Sequence, residues 1–361
     1  MRSVRPPAAH LARMQPYDPK YLPARAFLSA NENPLDVEDK LRQEIARELK
    51  RVPLNRYPDP LANELRDQIA RAYGLRREQV LVGNGGDELL FDVALCWGGP
   101  GRTFLNLPPT FSVYEANARL THTKTENVPR RADFSIDEEA VLARVARGDV
   151  DYVVVTSPNN PTGNAAPAGF VRRLLDTTDA LVLVDEAYGE FCDESVMPLL
   201  GDYENLLVLR TFSKAYALAG VRMGYVLGAP TVIEQLCKVR QPYSVNALSQ
   251  TAACAVFRNR ERFAPAIRGI VAERERVFGE LAAMPQASPY RSDANFILVR
   301  VPDAHRVWER LYDQGVLVRD LSGNPLTSDC LRVSIGTRQE NNLFLGALAE
   351  ALGPSERKAD R

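Results

Sequence analysis

Near-continuous apolar runs rich in Val and Leu recur through the middle of this sequence, at residues 80–82, 103–107, 152–156, 181–184, 206–209 and 225–227. Helical patterns separate them, at residues 87–97, 114–120, 137–147 and 168–175. A strand that is apolar on both faces has to be covered on both faces. The alternation therefore predicts an α/β architecture, a mainly parallel sheet between two layers of helix.

From about residue 231 the pattern changes. A long helical stretch over 246–284 is interrupted near 263–266 by Pro265. Strand-like runs follow at 295–301, 316–319 and 331–335, with a helix at 305–314 between the first two. A chain of 361 residues exceeds a typical single domain. The expected division is an N-terminal arm over 1–30, a large three-layer αβα domain over 31–240 and a smaller α+β domain over 241–355.

Composition narrows the chemistry. The formal net charge of −1 offers no general attraction to nucleic acid or anionic membrane. The five cysteines are scattered without a C-x-x-C pair, which points to thiols in a reducing, cytoplasmic setting. His10, His122 and His305 are the only histidines and none lies at ligand spacing to another, so a metal site is not expected. The first residues contain arginine but no apolar core of the secretory kind. No run is long and apolar enough to span a bilayer.

Four of the apolar runs lead directly into loops rich in polar and glycine residues. Ligands of open parallel sheets bind at the carboxyl ends of the strands, so four motifs distant in sequence can meet there. The first is Gly83-Asn-Gly-Gly86-Asp87-Glu, whose glycines permit a tight turn and whose following helix presents free N–H groups to an anion. The second, Ser157-Pro-Asn-Asn160-Pro-Thr-Gly-Asn, is ordinary turn chemistry, or else a loop in which the Asn160 amide meets a ligand oxygen. The third ends an apolar run on Asp185-Glu-Ala-Tyr188. A carboxylate there is either a helix cap or the partner of a cationic ligand. The fourth is Thr211-Phe-Ser213-Lys214, with Gly220-Val-Arg222-Met-Gly beyond it. An amine that follows a buried strand among small residues is desolvated, has a lowered pKa and can form a Schiff base with an aldehyde. Ser213 and Arg222 suit a dianionic phosphate.

In this order, the motifs at 157–163, 185–188 and 211–224 resemble those of the fold-type I, class I and II aminotransferases. The resemblance extends from about Tyr17 to Gly336. Ser29-Ala-Asn-Glu-Asn-Pro, Asn55-Arg-Tyr57-Pro-Asp, Gly85-Gly-Asp-Glu-Leu, Val318-Arg319-Asp and Leu331-Arg332-Val-Ser-Ile-Gly-Thr-Arg are similar to the histidinol-phosphate branch of that family. The resemblance implies pyridoxal 5'-phosphate as cofactor, with Lys214 as its Schiff-base and proton-transfer lysine. It implies Asp185 at the pyridine nitrogen and Asn160 and Tyr188 at the phenolic oxygen. The backbone at Gly86 and Asp87, with Thr211, Ser213 and Arg222, would hold the phosphate. Tyr57 would reach the phosphate held by a neighbouring subunit, which implies a homodimer. Phe111 would stack on the ring, where the branch often carries a tyrosine.

For the substrate, the resemblance places Arg332 at the position that takes an α-carboxylate. Histidinol phosphate has none, so the guanidinium is expected to take its phosphate, with Arg319, Tyr17 and Tyr243 nearby. Arg319 could equally form a surface salt bridge. The reaction implied is the exchange of an amino group between histidinol phosphate and 2-oxoglutarate, both small molecules. An aromatic amino-acid aminotransferase would share every cofactor residue, and a threonine-phosphate decarboxylase has a similar sequence. A ligand-sensing domain of a transcription regulator would need an attached DNA-binding module, for which the roughly 28 residues ahead of Ser29 are too few.

Overall fold

A computed structural model of the chain describes residues 4–14, 16, 18, 20 and 22–353. Regular strand structure begins with β1 (Ala26–Leu28). The larger sheet then collects β2 (Val80–Gly83), β3 (Thr103–Asn106), β4 (Lys124–Asn127), β5 (Tyr152–Thr156), β6 (Leu181–Asp185), β7 (Leu206–Thr211) and β8 (Gly224–Gly228). Their order among the described residues is β2-β8-β7-β6-β5-β3-β4. Every pairing from β7 through β6, β5 and β3 to β4 is parallel, and β8 alone runs antiparallel to both of its neighbours. The central strands β5, β6 and β7 are buried at every residue, as their unbroken Val and Leu runs require. By contrast β4 is a polar edge strand with no buried residue, and it has no apolar run by which the sequence could announce it.

Apolar side chains pack on both faces of this sheet. On one, Val153, Val155, Val182, Val184 and Val208 meet Phe170, Leu174 and Phe257. On the other, Val154, Leu183 and Leu209 meet Leu89, Val93 and Ile233. The expected three layers are present.

The second sheet consists of β9 (Ser288–Pro289), β10 (Phe296–Arg300), β11 (Val316–Asp320) and β12 (Cys330–Ser334), ordered β1-β11-β12-β10-β9. Its first strand therefore comes from the N-terminal segment: Ala26, Phe27 and Leu28 pair in parallel with Val316, Leu317 and Val318. Two segments sit differently from a simple division at residues 30 and 240. β1 joins the C-terminal sheet, and helix Ala247–Arg258 sends Ala253, Cys254, Val256 and Phe257 into the core beneath the larger sheet. Pro265 also acts differently from expectation. The helical stretch breaks at Asn259 and the 3-10 turn Arg260–Phe263, and Pro265 lies in the first turn of the next helix, Ala264–Ala282. In a first turn the missing N–H costs nothing, so the proline starts that helix instead of kinking it.

Arg210 on β7 ties the loop after β6 in place. Its guanidinium donates to Glu186 Oε2 at 2.5 and 3.0 Å and to Glu190 Oε1 at 3.1 Å, and all three side chains are buried. Burial pushes the Glu190 carboxyl pKa up, and the arginine opposes that shift. Replacing Arg210 with Met should strand both carboxylates without their cation. Urea denaturation near pH 7 is expected to show a loss of about 3–5 kcal/mol. The raised folded-state pKa of Glu190 then favours the fold at low pH, so the loss should shrink as the pH falls toward 4.

Candidate active site

Beyond the carboxyl ends of β2, β5, β6 and β7 lies a cavity of about 840 Å3. Its floor comes from the larger sheet and one wall from the loop and strands of the second. The sequence motifs converge here: Gly86 and Asp87 after β2, Asn160 after β5, Asp185 and Tyr188 at the end of β6, and Thr211, Ser213 and Lys214 at the end of β7 all line it. Phe111, Arg222, Arg319 and Arg332 line it as well.

One end is built for an anion. Helix Gly86–Trp97 begins at this point and aims its first N–H groups into the cavity region. Gly85, with φ +80°, makes the turn, and a Cβ there would stand 2.5 Å from Arg222 Nη2. Only glycine leaves the guanidinium its place. Thr211 Oγ1 donates to Ser213 Oγ at 3.0 Å, and Arg222 reaches Ser213 Oγ at 3.4 Å and Asp87 Oδ2 at 3.0 Å. Two hydroxyls, a guanidinium and a helix start thus share one corner.

The cavity also carries a buried carboxylate. Asp185 Oδ2 accepts from the Tyr114 hydroxyl at 2.7 Å and Oδ1 from the Ala187 N–H at 3.0 Å. Burial raises its pKa to about 6, while those two donors hold it down. Tyr114 in turn accepts from Thr156 Oγ1 at 2.9 Å. Neither Tyr114 nor Thr156 was singled out from the sequence. Tyr114 sits within helix Val113–Leu120, where its spacing marks it only as an inward-facing residue.

Lys214 lines the same cavity. Its Nζ donates to Ala30 O at 2.9 Å and lies 5.9 Å from the centre of the Tyr188 ring. Burial first, then the nearby Arg332 charge, lowers its pKa to about 8. The Tyr188 hydroxyl accepts from Asn31 Nδ2 at 3.0 Å. Arg332 donates to Asn160 Oδ1 and, at 2.6 Å, to Ser29 O. Arg319 and Arg332 are direct cross-strand partners on β11 and β12, so both guanidiniums leave the sheet at one level.

Tyr57 and Tyr243 stand apart from the cavity of this chain. They stack on each other with ring centroids 4.5 Å apart, 81% and 42% exposed, and neither lines the cavity. Tyr17, the remaining expected substrate residue, lies outside the described residues. Residues 29–33, which carry Ala30 and Asn31 into the site, were noticed only as a motif. Their contacts run to Lys214, Tyr188 and Arg332, far away in the chain. No helix among the described residues is long and apolar enough to cross a membrane.

The family model for aminotransferase class I and II matches residues 27–348. A histidinol-phosphate aminotransferase of Chlorobium phaeovibrioides is 40% identical over 322 residues, which cover 89% of each chain. That of Carboxydothermus hydrogenoformans is 40% identical over 342 residues, 94% of this chain and 97% of the relative. The crystal structure of histidinol-phosphate aminotransferase from Sinorhizobium meliloti in complex with pyridoxal-5'-phosphate superposes with a TM-score of 0.86 at 25% identity. That match covers 95% of this chain and 96% of the other. With the family match spanning most of the sequence, and with the lysine, carboxylate and anion corner gathered in one cavity, the chain belongs to the class I and II aminotransferases.

Proposed function

We propose that this aminotransferase uses pyridoxal 5'-phosphate to exchange the amino group of histidinol phosphate with 2-oxoglutarate. The residues present suit the cofactor. The corner formed by Gly86, Asp87, Thr211, Ser213 and Arg222 would hold its phosphate, with Gly85 leaving room for the Arg222 guanidinium beside it. Asp185 would face the pyridine nitrogen, Phe111 the ring, and Asn160 and Tyr188 the phenolic oxygen. Lys214 would carry the cofactor covalently. When bound, the cofactor supplies an electron sink for the substrate's α-carbon.

The chain's own groups do the rest. A buried carboxylate needs a cation, and Asp185 would find it in the ring nitrogen, whose protonated form it would stabilise. Lys214 Nζ, with its pKa brought to about 8, is neutral often enough near neutral pH to take the α-proton and return it. Arg332 and Arg319 would bind the phosphate of one substrate and a carboxylate of the other. The observation that carries the substrate choice is this pair of opposed guanidiniums at the cavity wall, which suits a dianion better than an aromatic side chain. Tyr57 and Tyr243, stacked and exposed beyond the cavity, would meet a second copy of the chain in a homodimer, with Tyr57 reaching the partner's phosphate corner. Five unpaired cysteines are in keeping with a cytoplasmic setting.

The test is absorbance of the purified protein with pyridoxal phosphate. A visible band that is lost on addition of L-glutamate, and in a fresh sample on addition of histidinol phosphate, is the expected result. A band that responds to phenylalanine but not to histidinol phosphate would move the substrate to the aromatic amino acids. Release of carbon dioxide from threonine phosphate would make the protein a decarboxylase. Arg332→Ala should lower kcat/KM for histidinol phosphate and glutamate at least about 30-fold, since each loses a charged hydrogen-bonded partner. Steady-state kinetics with both substrates checks this.

A further inference from the structure

Asn31 lies in the segment that follows β1 and lines the cavity, with only 1% of its surface exposed. Its backbone is left-handed at φ +55°, a conformation that Asn and Asp adopt more readily than other residues bearing a Cβ. Its N–H donates to Ser334 Oγ at 2.8 Å, and Ser334 Oγ donates to Asn31 Oδ1 at 3.1 Å. On the other side of the same amide, Nδ2 donates to the Tyr188 hydroxyl at 3.0 Å. The Asn31 carbonyl accepts from Asn295 Nδ2 at 3.0 Å, which fixes the backbone from below.

The direction of these bonds matters more than their number. A side-chain amide can be turned over without changing its shape, so its partners decide which atom faces where. Ser334 has one proton to give, and Asn31 Oδ1 takes it. Turned over, Nδ2 would face a serine oxygen that already accepts the Asn31 N–H, and the buried serine hydroxyl would lose that acceptor. Ser334 therefore sets the amide, and the amide presents a donor to Tyr188. A tyrosine oxygen that accepts on this side has its own proton to direct toward another acceptor.

We propose that Asn31 is a positioning residue for Tyr188: it makes the tyrosine a hydrogen-bond donor toward the phenolic oxygen of the cofactor. The proposal rests on the assignment of Tyr188 to that oxygen made above. A donor there stabilises negative charge on the oxygen. It thereby lowers the proton affinity of the nitrogen through which Lys214 holds the cofactor. A carboxylate at position 31 would instead draw the Tyr188 proton to itself, and the phenolic oxygen would lose its donor.

The experiment is a spectroscopic pH titration of the enzyme loaded with pyridoxal phosphate, which needs no turnover. Asn31→Asp keeps the shape and tolerates the left-handed backbone, but replaces the donor with an acceptor. Ser334→Ala keeps Asn31 and adds no charge; it frees the amide to turn and also removes the acceptor of the Asn31 N–H. Asn31→Asp should raise the midpoint at which the visible band changes by about one pH unit, the size of one lost charge-assisted hydrogen bond. Ser334→Ala should raise it by less. In a Tyr188→Phe background neither change should move the midpoint further. The proposal is overturned if both single variants titrate like the wild type. A shift that persists undiminished in the Tyr188→Phe background overturns it as well, since Asn31 would then act by charge or packing alone. If the wild-type protein forms no visible band with pyridoxal phosphate, the cofactor reading of the whole site fails and the proposal falls with it.

Discussion

Lys214→Ala is expected to abolish transamination, with kcat reduced by at least about 10^4-fold in single-turnover assays with either substrate. The size follows from two roles held by one atom. In the proposed mechanism Lys214 Nζ is the covalent anchor of the cofactor and moves the α-proton, and among the described residues it is the only lysine amine that lines the cavity. The visible band of the loaded enzyme should change at the same time. A variant that retained both the wild-type band and measurable turnover would show that the anchor lies elsewhere. The cofactor-free proteins offer a separate reading. Burial lowers the lysine pKa from 10.5 to about 8, so between those values the unfolded chain binds more protons than the folded one. Stability of the cofactor-free wild type should therefore rise with pH from about 8 toward 10.5. That rise should be absent in Lys214→Ala, and thermal denaturation across this range measures it.

Asp185→Asn should cost about 10^3-fold or more in kcat and weaken cofactor binding, while leaving the cofactor-free fold no less stable near pH 7. The carboxylate is raised to about 6 by burial, so the folded state holds its proton more tightly than the unfolded one. Its contribution to folding is fully present below about pH 3.8 and is lost as the pH rises through about 6. At neutral pH the ionised group is a burden that only a cation in the cavity relieves. Asparagine removes the burden and the function together. Turnover with glutamate, measured beside thermal denaturation of the cofactor-free proteins, tests both halves. Equal turnover by the variant would mean that no charge is needed at the pyridine nitrogen. A sharply destabilised variant would mean that the Tyr114 and Ala187 hydrogen bonds matter more than the desolvated charge.

The paired arginines illustrate how far sequence reading can go and where it stops. Arg319 could be read either as a surface ion pair or as a site residue, because a guanidinium near the end of a strand has no local mark of its destination. The pairing of β11 with β12 sets it directly opposite Arg332, and both then line the same cavity. Tyr243 shows the reverse. Its position suggested a substrate contact, yet the chain turns there with φ +56° and stacks the ring on Tyr57, away from the cavity of its own subunit.

The sequence by itself determined the strands that are apolar on both faces, the glycine turn at Gly83–Gly86 and the four motifs that end those strands. It could do so because burial on both faces, tight turns and desolvated charges each demand residues of a particular kind in a short window. Asn160, Asp185, Tyr188, Thr211, Ser213 and Lys214 could be marked in the same way, since each ends its strand or follows it within a few positions, and all of them line the cavity. Tertiary structure alone decided the partners of those residues. Tyr114 on Asp185, Asn31 on Tyr188, Ala30 on Lys214 and Arg210 on Glu186 are all contacts across long stretches of chain. The borrowing of β1 by the C-terminal sheet is of the same kind. A hydrogen bond of this sort constrains only the identity of two atoms and their distance in space. It leaves no period and no spacing in the sequence, so the fold has to exist before it can be seen.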